Sequence, residues 1–246
     1  MPKLSVTIIT RNEAAHIRAA LESVSWADER IVVDAESTDD TAAIARELAG
    51  PVVVRGWPGY GGQKNFAASL ASHDWILSLD ADERVTTALA AEIRRAIDSP
   101  AHAAYRMPRV THHMGRWIRS TDWYPDHQLR LYDRRRGRWN AARVHEGIDV
   151  DGSIGALAGE LQHYPYRDLA DHLETINRYT TLAAEQMHAE GRRSGVAQMA
   201  VHPPLAFLRN YLVRGGIRDG APGLVVSAMN AYYVFLKFAK LRELGA

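Results

Sequence analysis

Two carboxylates one residue apart, in Asp80-Ala81-Asp82-Glu83, follow the apolar run Trp75-Ile76-Leu77-Ser78-Leu79 and precede a helix-like segment. The run reads as a buried strand, so both acids stand at a strand's carboxyl end, the side of an open α/β sheet that borders the ligand crevice. Acids there can hold a divalent cation whose shell is completed by water and substrate phosphates, and such a cation usually serves a phosphate-bearing substrate. The competing reading is structural: Asp80 caps a turn, while Asp82 and Glu83 are solvated charges at a helix start, where carboxylates are favoured.

The elements that must position this motif are legible upstream of it. Leu4 to Ile9 is β-branched and apolar, Ala14 to Val24 places Ile17, Leu21 and Val24 at helical spacing, and Ile31-Val32-Val33 is a second strand ending at Asp34. Ser37-Thr38-Asp39-Asp40 supplies caps for a helix over Thr41 to Leu48, and Pro51-Val52-Val53-Val54 gives a third strand. This alternation implies an α/β fold with a parallel sheet. A glycine-dense loop, Gly56 to Gly62, then leads into a helix near Gln63-Lys64-Asn65, and Thr86 to Ile97 forms an amphipathic helix closed by Pro100. Asp34 ends the second strand as Asp80 ends the fourth, so both face one crevice in a doubly wound sheet. An aspartate there can accept hydrogen bonds from a base edge or a ribose hydroxyl, and Asn12-Glu13 can supply a second polar wall, a geometry that suits a nucleotide.

With 246 residues, 46% hydrophobic and 24% charged, the chain reads as globular, either one large domain or one domain with an appendage. The absence of cysteine excludes disulfides, a thiolate nucleophile and a cysteine zinc site. No signal-like h-region opens the sequence, so a cytoplasmic location is the default expectation. Net charge is +1 but unevenly spread: residues 1–100 carry 10 Lys/Arg against 15 Asp/Glu, and residues 192–242 carry 8 against the single acid Asp219.

Beyond Pro100 come short strand-like pieces, Tyr105-Arg106-Met107 and Leu129 to Tyr132, among loops rich in His, Trp and Arg. The arginines at 130, 134, 135, 136, 138 and 143 are either acceptor-phosphate contacts or a solvated face. No recognition helix, zinc finger or RNP-like motif accompanies them, which argues against nucleic acid as a partner. Asp168 to Met187 predicts a long helix with Leu169, Leu173, Ile176, Thr180, Ala183 and Met187 on one face. The 13-residue apolar run Leu224–Leu236 is short of the roughly 20 residues that span a bilayer. Arg209, Arg214 and Arg218 before it and Lys237, Lys240 and Arg242 after it suit a helix lying in an anionic inner-membrane interface; the alternative is a core helix docked on the main domain.

Asn12-Glu13, Asp34 with Ser37-Thr38-Asp39, Gly59-Tyr60-Gly61-Gly62-Gln63-Lys64-Asn65 and Asp80-Ala81-Asp82-Glu83 together resemble glycosyltransferase family 2. The resemblance covers residues 4–97 and continues through Val144-His145-Glu146 and His163-Tyr164, which look like the second half of bacterial lipopolysaccharide-core β-glucosyltransferases. It implies a GT-A type, Rossmann-like doubly wound mixed sheet over residues 1–166, with a nucleotide-sugar half (1–100) and an acceptor half (101–166). A helical, amphipathic C-terminal extension (167–246) would follow. Carried over by position, it assigns Thr10, Asn12, Glu13 and Asp34 to the nucleotide, Lys64 and Asn65 to the donor, and Asp80 and Asp82 to sugar, diphosphate and metal. Asp82 would ligate Mg2+ or Mn2+ directly; His163 could complete the shell or be a packed structural histidine. The implied partners are a UDP-sugar donor, expected to be UDP-glucose, and a lipopolysaccharide-core or lipid-linked glycan acceptor, with a polyprenyl-phosphate acceptor as the alternative. Many relatives carry Gly or Asp where Glu36 stands, which leaves the donor base open.

Inverting transfer needs a base to take the acceptor's proton, and Glu146 is the choice, with Asp122 and Asp126 as rivals. The plainer reading of Glu146 is a surface carboxylate paired with Arg143. Two other classes compete. Haloacid-dehalogenase-type phosphatases also place Asp-x-Asp after an apolar strand, but here the motif ends the fourth strand and is followed by Glu83-Arg84. A noncatalytic sugar-nucleotide-binding module would keep the pocket and lose turnover.

Overall fold

The computed structural model describes residues 2–140 and 147–245. The chain begins β1 (Leu4–Thr10), α1 (Ile17–Ser23), β2 (Glu29–Asp34), α2 (Thr41–Ala49), β3 (Val52–Val54), α3 (Tyr60–Ser69) and β4 (Trp75–Asp80). It continues through β5 (Glu83–Val85), α4 (Thr87–Asp98), β6 (Ala104–His113), β7 (Arg116–Ile118), a 3-10 turn (Thr121–Trp123), β8 (Asp126–Asp133) and β9 (Gly137–Trp139). Then come β10 (Ile148–Val150), β11 (Ile154–Ala156), β12 (Leu161–His163), α5 (Leu169–Ala189), α6 (Val196–Leu208), a π turn (Arg209–Val213), a 3-10 turn (Gly216–Asp219) and α7 (Gly220–Leu244).

The chain divides into two compact units, residues 1–109 with 127–163, and residues 110–126 with 164–246. In the first, the main sheet has the order β3-β2-β1-β4-β8-β6-β12-β5. The four leading strands are parallel, as the βα alternation requires, and β8 returns antiparallel against β4, so the sheet is mixed. Every residue of β1 is buried, because helices cover both faces of a doubly wound sheet. Leu4, Val6 and Ile8 of β1 pack with Ile17 and Leu21 of α1 and Leu89 and Ile93 of α4. Ile9 instead joins Ala67 and Ala68 of α3, with Tyr132 and Trp139, on the opposite face. Thr86 caps α4 by accepting from the Leu89 amide at 3.2 Å. This α/β GT-A-like sheet with a helical C-terminal region is the architecture expected from the sequence.

The second unit holds the helices. The face of α5 that is buried is His172, Ile176, Thr180, Ala184 and Met187, whereas Leu169 and Leu173 are exposed. The expected stripe is therefore rotated by about one residue in its first turns, because the helix packs around His172. That imidazole stacks on Tyr166 at 4.2 Å between ring centroids and meets His113 and Trp123 edge-on or tilted at 5.1 and 5.5 Å. The apolar run at Leu224–Leu236 lies inside α7, which extends to 25 residues. The stretch Gly216–Leu244 is long and apolar enough to cross a membrane by length and composition, a property the 13-residue run alone does not reveal. It is nonetheless tied into the unit: Lys240 Nζ donates to Asn177 O and Oδ1, Thr180 Oγ1 and Thr181 Oγ1 of α5 at 2.7–2.9 Å.

Burial, reinforced by the neighbouring His113, pushes the His172 imidazole down to about 4, against the opposing pull of Asp171. An imidazole kept neutral in the fold and free to protonate in the unfolded chain makes the unfolded state bind more protons between pH 6.5 and 4. Stability is therefore complete above about pH 6.5 and falls toward pH 4, with a slope approaching 1.4 kcal/mol per pH unit from this residue. Denaturant unfolding followed across that range checks this. His172→Phe is expected to flatten the acid limb, and an unchanged limb would contradict the assignment.

Candidate active site

Strand register places the ends of three adjacent strands together. Thr10 pairs with Asp34 and Ile9 with Asp80, on the two sides of β1 where the strand order reverses. That reversal is where open α/β sheets bind ligands.

Asp34 is buried, and both its oxygens accept from Ser37, one from the backbone amide at 2.9 Å and the other from the hydroxyl. Thr10 is also buried, its hydroxyl without a hydrogen-bond partner among the described residues. Asn12 has a left-handed backbone (φ 55°), and its Oδ1 accepts from the Thr38 amide at 2.8 Å, tying the loop after β1 to the loop after β2. The Glu13 amide donates to Thr41 Oγ1 at 2.7 Å, which fixes the same pair of loops one residue further on. Glu36 is left-handed as well (φ 57°), a backbone region that favours Gly, Asn or Asp over Glu.

Lys64, buried in α3, places Nζ 3.1 Å from Asp80 Oδ1 and 4.3 Å from the centroid of the Trp139 ring. Its neighbour Asn65 is engaged elsewhere: Nδ2 donates to Trp139 O at 2.8 Å and Oδ1 accepts from Trp139 N at 3.0 Å. Asn65 therefore straps β9, and β9 carries the ring over which Lys64 lies.

Asp80 is held by more than Lys64. Arg130 of β8 donates to Asp80 Oδ2 and, at 2.7 Å, to Glu83 Oε1; Arg109 reaches the same Glu83 oxygen at 3.1 Å; and the Asp80 amide donates to Glu83 Oε2 at 3.0 Å. Glu83 is fully buried and Arg130 nearly so. Burial alone would raise the Asp80 carboxyl, but Arg130 and Lys64 overcome it and hold the group ionised well below the usual carboxylate range. Glu83 is thus no solvated helix-start charge, and Arg130 belongs neither to an acceptor-phosphate cluster nor to a solvated face. Sequence reasoning missed both. The signals present were the two-residue alternation Glu83-Arg84-Val85 and an arginine flanked by Leu129 and Leu131.

Asp82 points to a different partner. β12 pairs antiparallel with β5, His163 opposite Glu83, and His163 Nε2 lies 3.2 Å from Asp82 Oδ2. Burial raises the Asp82 carboxyl, but the hydrogen bond with His163 and the neighbouring Arg109 lower it further, leaving it ionised. Among the described residues no three His, Asp or Glu side chains form a metal-holding cluster.

Glu146, with Arg143 and His145, lies outside the described residues. Of its rivals, Asp122 is paired with both Arg209 and Arg214 of its own unit, and Asp126 opens β8 half-buried.

Removing Arg130 leaves Glu83 buried without its closest cation, so Arg130→Met is expected to destabilise the fold by about 3–5 kcal/mol. Adding Glu83→Gln is expected to recover part of that loss, as measured by urea unfolding. Equal stability of Arg130→Met and the wild type would contradict the network.

Comparison with known proteins agrees with this geometry. The family model for glycosyl transferase family 2 matches residues 5–150. An uncharacterized glycosyltransferase of Rickettsia typhi is 33% identical over 100% of this chain and 88% of its own length. The lipopolysaccharide core biosynthesis glycosyltransferase LpsC of Rhizobium meliloti is 33% identical over 99% of this chain and 94% of its own length. Among solved structures, the mannosyltransferase PcManGT from Pyrobaculum calidifontis, in complex with GDP-Man and Mn2+, superposes over 98% of this chain and 87% of that one with a TM-score of 0.57 at 15% identity, a likeness of fold. The chain belongs to glycosyl transferase family 2.

Proposed function

We propose that this enzyme is an inverting hexosyltransferase that moves glucose from UDP-glucose to a lipopolysaccharide-core or other lipid-linked glycan, working on the inner face of the cytoplasmic membrane. The observation that carries the donor side is the register of β1, β2 and β4, which puts Thr10, Asp34 and Asp80 at one crevice. Asn12, Glu13 and Asp34 would take the base and ribose, and Lys64 would face the diphosphate. Asn65 would act through the strap on Trp139. The full-length likeness to LpsC supports the acceptor class.

The residues present fit a divalent cation. Asp82 offers an ionised oxygen beside the imidazole nitrogen of His163, and Lys64 and Arg130 already neutralise Asp80. A site with two protein donors leaves room for water and diphosphate oxygens, as Mg2+ or Mn2+ requires, and an imidazole donor favours Mn2+ of the two. When bound, the cation supplies Lewis-acid stabilisation of the charge developing on the departing diphosphate. Asp80, held still by Lys64 and Arg130, would orient the sugar, and Glu146 would take the acceptor hydroxyl's proton.

Asp82→Ala is expected to abolish metal-dependent UDP-glucose binding in calorimetry, and metal-dependent binding that survives would remove Asp82 as a ligand. Glu146→Gln is expected to keep UDP binding and lose about 10²–10⁴-fold in transfer rate, the usual contribution of a general base. Unimpaired transfer by that variant would exclude it.

A further inference from the structure

In the second unit, α6 and the π turn after it carry an apolar stripe on the wrong side for a soluble protein. Val201, Leu205, Leu208 and Leu212 recur at helical spacing, and all are exposed, Leu205 by 56% and Leu212 by 55%. A helix of a soluble domain buries such a stripe and shows its polar side chains. Here the arrangement is reversed: what this segment buries is Pro203 and Asn210. The patch extends through Val213, 82% exposed, to Ile217 in the next turn.

Arg209, Arg214 and Arg218 are interleaved with these apolar residues and are exposed. Asp122 pairs with the first two, but a guanidinium has five donors and both side chains stay about half exposed (56% and 49%). The sole acid between residues 192 and 242, Asp219, is buried and accepts from the Ser120 hydroxyl and the Arg119 amide. A second copy docking here symmetrically would set these arginines against each other with no exposed acid on the segment to compensate. A surface with an apolar interior and an anionic rim satisfies both halves of the patch.

We propose that the edge formed by α6, the π turn and the following 3-10 turn inserts into the headgroup region of an anionic membrane, with Leu208, Leu212 and Val213 entering the acyl boundary and the three arginines contacting lipid phosphates. The attachment is peripheral, since the four hydrogen bonds from Lys240 to α5 keep α7 in the fold. Its purpose rests on the reading of a lipid-linked acceptor, but the binding does not.

The test is sedimentation of the full chain with vesicles of phosphatidylethanolamine and phosphatidylglycerol, against phosphatidylcholine alone, at low and high salt. Binding is expected to the anionic vesicles, roughly tenfold weaker to phosphatidylcholine and weakened by salt. Leu212→Glu with Val213→Glu, at exposed positions, is expected to abolish it, and Arg218→Gln to weaken it several-fold, with melting temperature unchanged. No vesicle binding by the wild type, equal binding by the double variant, or a concentration-dependent dimer that the double variant disrupts would each overturn the proposal. Failed vesicle binding with intact transfer to a water-soluble core oligosaccharide would overturn this inference alone. Vesicle binding without transfer would overturn the proposed function alone.

Discussion

The buried ion network of Arg130 with Asp80 and Glu83 sets the geometry on which the candidate active site depends. Three carboxylates within four residues, at the end of a buried strand, would repel one another and lose their hydration. The fold brings cations to them from distant segments: Lys64 from α3, Arg109 from β6 and Arg130 from β8. A buried ion pair contributes little net stability, because desolvation of both partners offsets their attraction, but breaking one leaves a charge stranded. Its consequence here is specificity of arrangement. Asp80 is immobilised and neutralised, while Asp82 in the same turn faces the imidazole of His163. One motif is thereby divided into an acid held between two cations and an acid that faces an imidazole, the division on which the proposed cation site rests.

The first half of the fold was legible because its signals are local. Apolar β-branched runs, the capping segment Ser37 to Asp40, whose Asp39 accepts from the Thr41 amide, and carboxylates at the strand ends are written within a few residues of where they act. The convergence of Asp34 and Asp80 followed from the strand order alone. Glu83 and Arg130 were illegible because the bond joining them spans 47 residues and needs β8 to return antiparallel beside β4. For the same reason Asn65 gave no sign of its commitment to the backbone of Trp139, 74 residues away. In the helical unit periodicity found α5 but not its buried face, because a histidine sits at the centre of the packing and hydrophobicity alone selects the leucines.

The two units contribute different physics. The sheet unit is stabilised by apolar layers on both faces, and its candidate site lies at the carboxyl ends of its parallel strands. The helical unit buries polar and aromatic groups, His172, Thr180, Asn210 and Asp219 among them, and leaves aliphatic side chains on its surface. That inversion suits the proposed pairing of a water-soluble nucleotide-sugar donor with an acceptor carried on lipid.

The measurement that tests the central claim most directly is the mass of a core-oligosaccharide acceptor incubated with the protein, UDP-glucose and Mn2+. The account predicts an acceptor heavier by one hexose, formed by the wild type and lost with Asp82→Ala. UDP binding with no mass gain from any UDP-sugar would contradict it and leave a noncatalytic nucleotide-sugar pocket.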